Sequence, residues 1–188
     1  MNQVLPAMRS YLFLSLIFGL AYPLAMTGVA QFVFPNQAGG SLIEVNGKTV
    51  GSRWIAQKFE SPRYFQSRPS SQDYNPLPSG ASNWGPISAD LKKQVDERVL
   101  KLKAANGNAD IPQDLLFASA SGLDPHISPE ATYYQMERVA QARGVDPSRI
   151  RHLIETHAQN RQFGFLGEPT VNVLELNVAL DRELSGVK

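Results

Sequence analysis

Hydrophobic and polar positions divide this chain into two unequal parts. Tyr11–Phe34, YLFLSLIFGLAYPLAMTGVAQFVF, contains no Asp, Glu, Lys, Arg or His. As a helix it would run about 36 Å at ~1.5 Å per residue, more than the ~30 Å of a bilayer's hydrocarbon core. A helix that is apolar on every face suits lipid better than the surface of a soluble domain. Tyr11 at one end and Phe32 and Phe34 at the other place rings where headgroups accept them. The pattern predicts a transmembrane helix over residues 11–34, a short flank over 1–10 and one domain over 35–188.

After residue 35 the pattern changes repeatedly. Leu42–Val45 and Lys48–Val50 flank Asn46-Gly47, a hairpin signal because both turn residues tolerate positive φ. Residues 61–86 are rich in Pro, Ser, Gly and Asn but keep Tyr64, Phe65, Tyr74 and Trp84. That mixture predicts a long ordered loop packed by its aromatics, since a flexible linker would lack them. Ser88 or Asp90 caps a helix to about Ala105, with Leu91, Val95, Val99 and Leu102 on its inner face. Ser128-Pro129-Glu130 opens a helix that should end at Arg143-Gly144, and Asp146-Pro147 opens the next, with Ile150, Leu153 and Ile154 inward. Val171–Val173 reads as a strand, and Leu174–Leu184 as a closing helix with Leu176, Leu180 and Leu184 toward the core. The fold class is α+β: a single N-terminal transmembrane helix followed by one exported mixed α/β domain.

Orientation follows from charge near the span. Arg9 and the α-amino group precede it, whereas no basic residue follows until Lys48. The positive-inside rule then puts residues 1–10 in the cytoplasm and the domain outside. A cleaved signal peptide is the rival reading, since Gly28-Val29-Ala30 offers small residues to a peptidase. Its apolar run is too long for the usual 7–15-residue core of such peptides, and it continues past that cut. Inside the span, Ala21, Ala25 and Gly28 form a strip of small residues on which another helix can lie close, and Pro23 cannot donate to the Gly19 carbonyl, so a bend is expected there.

Composition narrows the chemistry. The net charge is +1 without a basic cluster, which gives no footing for nucleic acid. There are no cysteines, so disulfides, thiolate nucleophiles and cysteine-based zinc sites are excluded. Gly47-Lys48-Thr49 matches only the tail of a phosphate-binding loop, because Leu42 stands where its first glycine belongs. Ser119, Ser121, Asp124 and His126 cluster around Gly122, but a nucleophile elbow would need serine where Ala120 stands. His152 and His157 are spaced to opposite sides of a helix, and His126 stands apart. No catalytic or metal-binding set is identifiable.

The order and spacing of further segments resemble the C subunit of the Kdp-type potassium-transporting ATPase, a bacterial membrane complex. They include Tyr22-Pro23-Leu24, Gly51-Ser52, Ile55–Phe59, Tyr64-Phe65, Arg68-Pro69-Ser70 and Ser79–Pro86. Ser119–Pro129, Arg138-Val139-Ala140 and Gly167-Glu168-Pro169 with Val171–Asn177 continue the match, while Trp54, Ala81 and Trp84 depart from it. The resemblance implies a non-catalytic accessory subunit of the inner membrane with a periplasmic domain. Its partners would be a potassium-translocating subunit, a P-type ATP-hydrolysing subunit and membrane lipid. It also implies a part in assembly, ATP as the complex's nucleotide and a raised affinity of the complex for it, while the sequence itself shows no cofactor site in this chain. On that basis the expected docking residues are Ala21, Ala25 and Gly28 in the span and Tyr64, Phe65, Trp84, Asp124 and His126 in the domain. Two other classes stay open: a membrane-tethered exported enzyme using Ser119, Ser121 or His126, and a cleaved exported binding protein.

Overall fold

The computed structural model describes residues 3–184, so Met1, whose α-amino group enters the orientation argument, lies outside the described residues. The chain forms two compact units, divided between Ile43 and Glu44.

The first unit is the apolar helix. Helix α1 (Val4–Leu16), a π-helical turn (Ile17–Ala21) and α2 (Tyr22–Val33) run on without interruption, and Val4–Val33 is long and apolar enough to cross a membrane. The helix starts earlier than the uncharged run, taking in Arg9. Pro6 is tolerated because it sits in the first turn, where its missing N–H has no partner to lose. The expected disturbance next to Pro23 takes the form of the π turn, in which the Tyr22 N–H donates to the Ile17 carbonyl one residue further back than in an α-helix. The Thr27 hydroxyl donates to the Pro23 carbonyl (2.8 Å). Phe34 breaks the helix at φ −131°, in the extended range favoured before proline, and one further turn, α3 (Pro35–Ala38), follows.

The hairpin of β1 (Leu42–Val45) and β2 (Lys48–Ser52) starts in the last two residues of the first unit and continues into the second. Asn46 and Gly47 both have positive φ, as the turn requires. Helix α4 (Ala89–Asn106) starts at Ser88, whose hydroxyl accepts from the Leu91 N–H, and its inner face is half-buried. A single turn, α5 (Gln113–Leu116), follows. Strand β3 (His126–Ile127) leads into α6 (Pro129–Arg143), capped by the Ser128 hydroxyl on the Ala131 N–H. Helix α7 (Pro147–His157) is capped by Asp146, whose carboxylate accepts from the Ser148 N–H and is held below the usual carboxylate range first by the Ser148 side chain and then by that backbone hydrogen bond. Strands β4 (Ala158–Gln159) and β5 (Thr170–Asn172) precede α8 (Val173–Leu184).

Strand β5 is central, pairing antiparallel with β3 (His126 opposite Asn172) and with β4 (Ala158 opposite Val171). Helices α6, α7 and α8 pack on this small sheet. Val139, Ile150, Ile154, Val171, Val173, Leu176 and Leu180 are fully buried between them. The periodic inner faces of α7 and α8 are the ones expected. Strands β3 and β4 were not expected, because two residues carry no alternation to detect.

The loop over 61–86 is ordered, and its aromatics do part of the holding. The Tyr74 hydroxyl donates to the Arg68 carbonyl (2.8 Å). Burial, with a smaller contribution from the charge of Asp73, pushes that hydroxyl up to about 12 from an ordinary 10.0. A folded-state value above the unfolded one means the protonated phenol supports the fold fully below pH 10, and the support is lost as pH rises from there through about 12. Tyr74→Phe is therefore expected to lower stability at neutral pH by about 1 kcal/mol through the lost hydrogen bond, and to flatten the alkaline limb of a pH–stability profile followed by denaturant titration.

Candidate docking surfaces

Two buried amides on α6 and α8 fix where the domain's loops lie. Asn177 on α8 accepts from the Phe65 N–H and donates to the Phe65 carbonyl, both at 2.9 Å. Gln135 on α6 treats the next residue alike, accepting from the Gln66 N–H (2.8 Å) and donating to the Gln66 carbonyl (3.2 Å). The backbone of an irregular loop is thereby hydrogen-bonded on two sides, as a strand would be, by side chains of two helices. Arg138 completes the clamp, donating to the carbonyls of Pro62 (2.7 Å) and Tyr64 (3.1 Å), to Asn106 Oδ1 (2.9 Å) and to Gln135 Oε1 (2.9 Å). Burial pushes the Arg138 guanidinium pKa down from its ordinary value. Asn172 ties in a second segment, donating to the Arg53 carbonyl (2.8 Å) and accepting from the Glu175 N–H at the start of α8 (3.1 Å).

This arrangement sorts the residues expected to dock. Phe65 is 0% exposed and belongs to the core, so it offers no surface to another chain in this conformation, contrary to the expectation for it. Tyr64 is half-buried. Its hydroxyl donates to Asp181 (2.9 Å), and the Arg143 guanidinium lies 5.0 Å from its ring. Burial and then the Asp181 hydrogen bond push that hydroxyl's pKa up. Trp84 is also half-buried and lines a groove against α4 with Ser70, Ala81, Gln94 and Lys101. In the first unit Ala21, Ala25 and Gly28 are exposed, and a methyl group added at Gly28 would meet nothing within 4 Å.

Asp124 and His126 do come together, with a residue that sequence reasoning did not single out. Arg68 Nη1 lies 3.1 Å from Asp124 Oδ2, while Asp124 Oδ1 accepts from the His126 N–H (3.0 Å). All three line a cleft of about 630 Å³, with Asp114, Phe117 and Glu168 on its walls. The Trp54 ring stands 6.1 Å from that of His126. The turn behind the cleft is tight: Gly122 has φ +69°, and a Cβ there would come within 3.0 Å of the Gly80 carbonyl and 3.1 Å of Ser70 Oγ. Arg68 was legible only as part of a motif, since an arginine among prolines and serines has no periodic pattern to reveal its partner.

The polar groups of this region serve its architecture. Ser121 Oγ accepts from the Leu123 N–H (3.1 Å), and Ser119 is 3% exposed. Gly47-Lys48-Thr49 bends a hairpin and opens a strand, with no helix N-terminus following it to cradle phosphate. Among the described residues no three His, Asp or Glu side chains gather closely enough to hold a metal ion. The cleft thus carries both charge signs, an ion pair between Arg68 and Asp124, and an exposed Phe117.

An N-terminal helix long and apolar enough to cross a membrane, with an α+β region after it, is consistent with a membrane subunit. Comparison with known proteins identifies which kind. The model of the KdpC family, the K+-transporting ATPase c chain, matches residues 4–182, and the chain belongs to that family. It is 51% identical to the potassium-transporting ATPase KdpC subunit of Variovorax paradoxus over 96% of each chain. It is 49% identical to that of Bradyrhizobium diazoefficiens and 49% identical to that of Geobacter metallireducens, over 97% of this chain and 98% of each relative.

Proposed function

We propose that the chain is a non-catalytic subunit of an ATP-driven potassium uptake complex, held in the inner membrane by one helix. The N-terminus faces the cytoplasm and the domain from residue 35 faces the periplasm. In this reading the small-residue strip of Ala21, Ala25 and Gly28 packs against the potassium-translocating subunit. The domain covers that subunit's outer face through the cleft of Arg68, Asp124 and His126 and the groove beside Trp84. The P-type hydrolytic subunit binds ATP in the cytoplasm. This chain supports assembly of the complex and raises its affinity for ATP through the packing of its span.

The observation that carries the reading is the family match from residue 4 to 182, which takes in both the apolar helix and the domain. Isolation of the full chain from detergent-solubilised membranes is expected to bring the potassium-translocating and hydrolytic subunits with it. Recovery of the chain alone under conditions that keep the other two together would overturn the proposal. Gly28→Leu, which fills the open strip, is expected to lower that recovery about tenfold while leaving the chain in the membrane fraction, because close helix approach depends on small side chains.

A further inference from the structure

The turn-rich connection between β4 and β5 carries a feature that neither the core nor the cleft uses. Residues 160–169 fold back as a narrow hairpin: the Gln162 N–H donates to the Leu166 carbonyl and the Leu166 N–H to the Gln162 carbonyl, both at 2.9 Å. At its tip Phe163 is 86% exposed, Phe165 70% and Leu166 48%. Phe163 also holds φ +52°, a conformation unfavourable for a residue with a Cβ, and the Gly164 N–H to Arg161 carbonyl bond (3.1 Å) braces it there. Two phenylalanine rings are thus fixed outward on a closed turn whose return strand, β5, is the buried centre of the sheet. A domain with no neighbour gains nothing from such a display and risks aggregation.

We infer that this tip is a knob that seats in an apolar socket on another protein subunit of the same ATPase. The inference rests on the proposed function and adds to it a named contact. Charge selects the occupant. Arg161 and Glu168, at the base of the tip, pair with each other and leave no net charge to draw it toward phospholipid headgroups. The Lys and Arg residues that hold interfacial anchors to anionic headgroups have no unpaired counterpart at the tip, since Arg161 is engaged by Glu168. An apolar centre ringed by a self-compensated polar rim is the anatomy of a protein interface. The tip is also continuous with the cleft, since Glu168, Pro169 and Thr170 form one of its walls.

A photoreactive benzoylphenylalanine placed at position 163, and separately at 165, in the full chain within native membranes tests this. Irradiation is expected to give an adduct with another subunit of the ATPase, identified by mass. Adducts with lipid alone, or no adduct, would overturn the inference. The double variant Phe163→Ser/Phe165→Ser should keep the wild-type unfolding midpoint, because the rings are exposed, yet weaken retention of the partner subunits about tenfold or more, the loss that unburying even one such ring brings. Wild-type retention by this variant would also overturn it. If the wild-type chain retains its partners while the probes label only lipid, this inference fails and the proposed function stands; if the wild type retains none, both fail.

Discussion

Asn177→Ala is expected to lower the unfolding free energy of the full chain in detergent by about 3 kcal/mol, measured by chemical denaturation followed through tryptophan fluorescence. Asn177 is 2% exposed and satisfies both backbone groups of Phe65, whose own side chain is fully buried. Alanine leaves a buried N–H and a buried C=O without partners, at about 1–3 kcal/mol each. Asn177→Asp should do at least as much damage. Its carboxylate still accepts from the Phe65 N–H but turns a second oxygen toward the Phe65 carbonyl, where only a donor fits. Wild-type stability in either variant would show that the loop is held by its apolar contacts alone.

Arg138→Ala should cost a similar amount, about 3 kcal/mol, by releasing the same loop from the other side. The guanidinium serves four neutral oxygen acceptors on α4, α6 and the loop, and no carboxylate is among them. Removing it takes the donor from the part-buried Tyr64 carbonyl and from the part-buried side-chain oxygens of Asn106 and Gln135, whereas the exposed Pro62 carbonyl can turn to water. Arg138→Lys should recover little, since a single ammonium cannot address a planar fan of acceptors. Gln135 Oε1 accepts from both Arg138 and the Gln66 N–H, so Arg138→Ala and Gln135→Ala share a network. Their double variant should fall short of the sum of the single costs, measured in the same titration.

These residues also show what the sequence could disclose. Capped and periodic elements were readable: Ser128-Pro129 and Asp146-Pro147 start helices where a capping side chain and a proline both say so, and Ile150, Leu153, Ile154, Leu176 and Leu180 are buried as their spacing requires. Ala131, Gln135 and Val139 recur every four residues on the inner face of α6, so a glutamine in that phase was a sign of a buried amide with a loop to hold. The identity of the loop it holds was not encoded locally, because Gln66 lies 69 residues away in a segment without periodicity. Phe65 illustrates the same limit. An aromatic in a polar loop has no pattern to say whether it packs inward or outward, and here it packs inward, while Phe163 and Phe165 are exposed. Asp124 and His126 are close in sequence, whereas Arg68, 56 residues from Asp124, meets them only in three dimensions.

The natural absence of cysteine makes the central claim, one span with the domain outside, directly measurable. Single cysteines at Ser10 and Lys93, each exposed, would be offered a membrane-impermeant maleimide in intact spheroplasts and again after permeabilisation. The account predicts that Lys93→Cys is labelled at once, whereas Ser10→Cys is labelled only after permeabilisation. Labelling of Lys93→Cys only after permeabilisation would place the domain in the cytoplasm and contradict it.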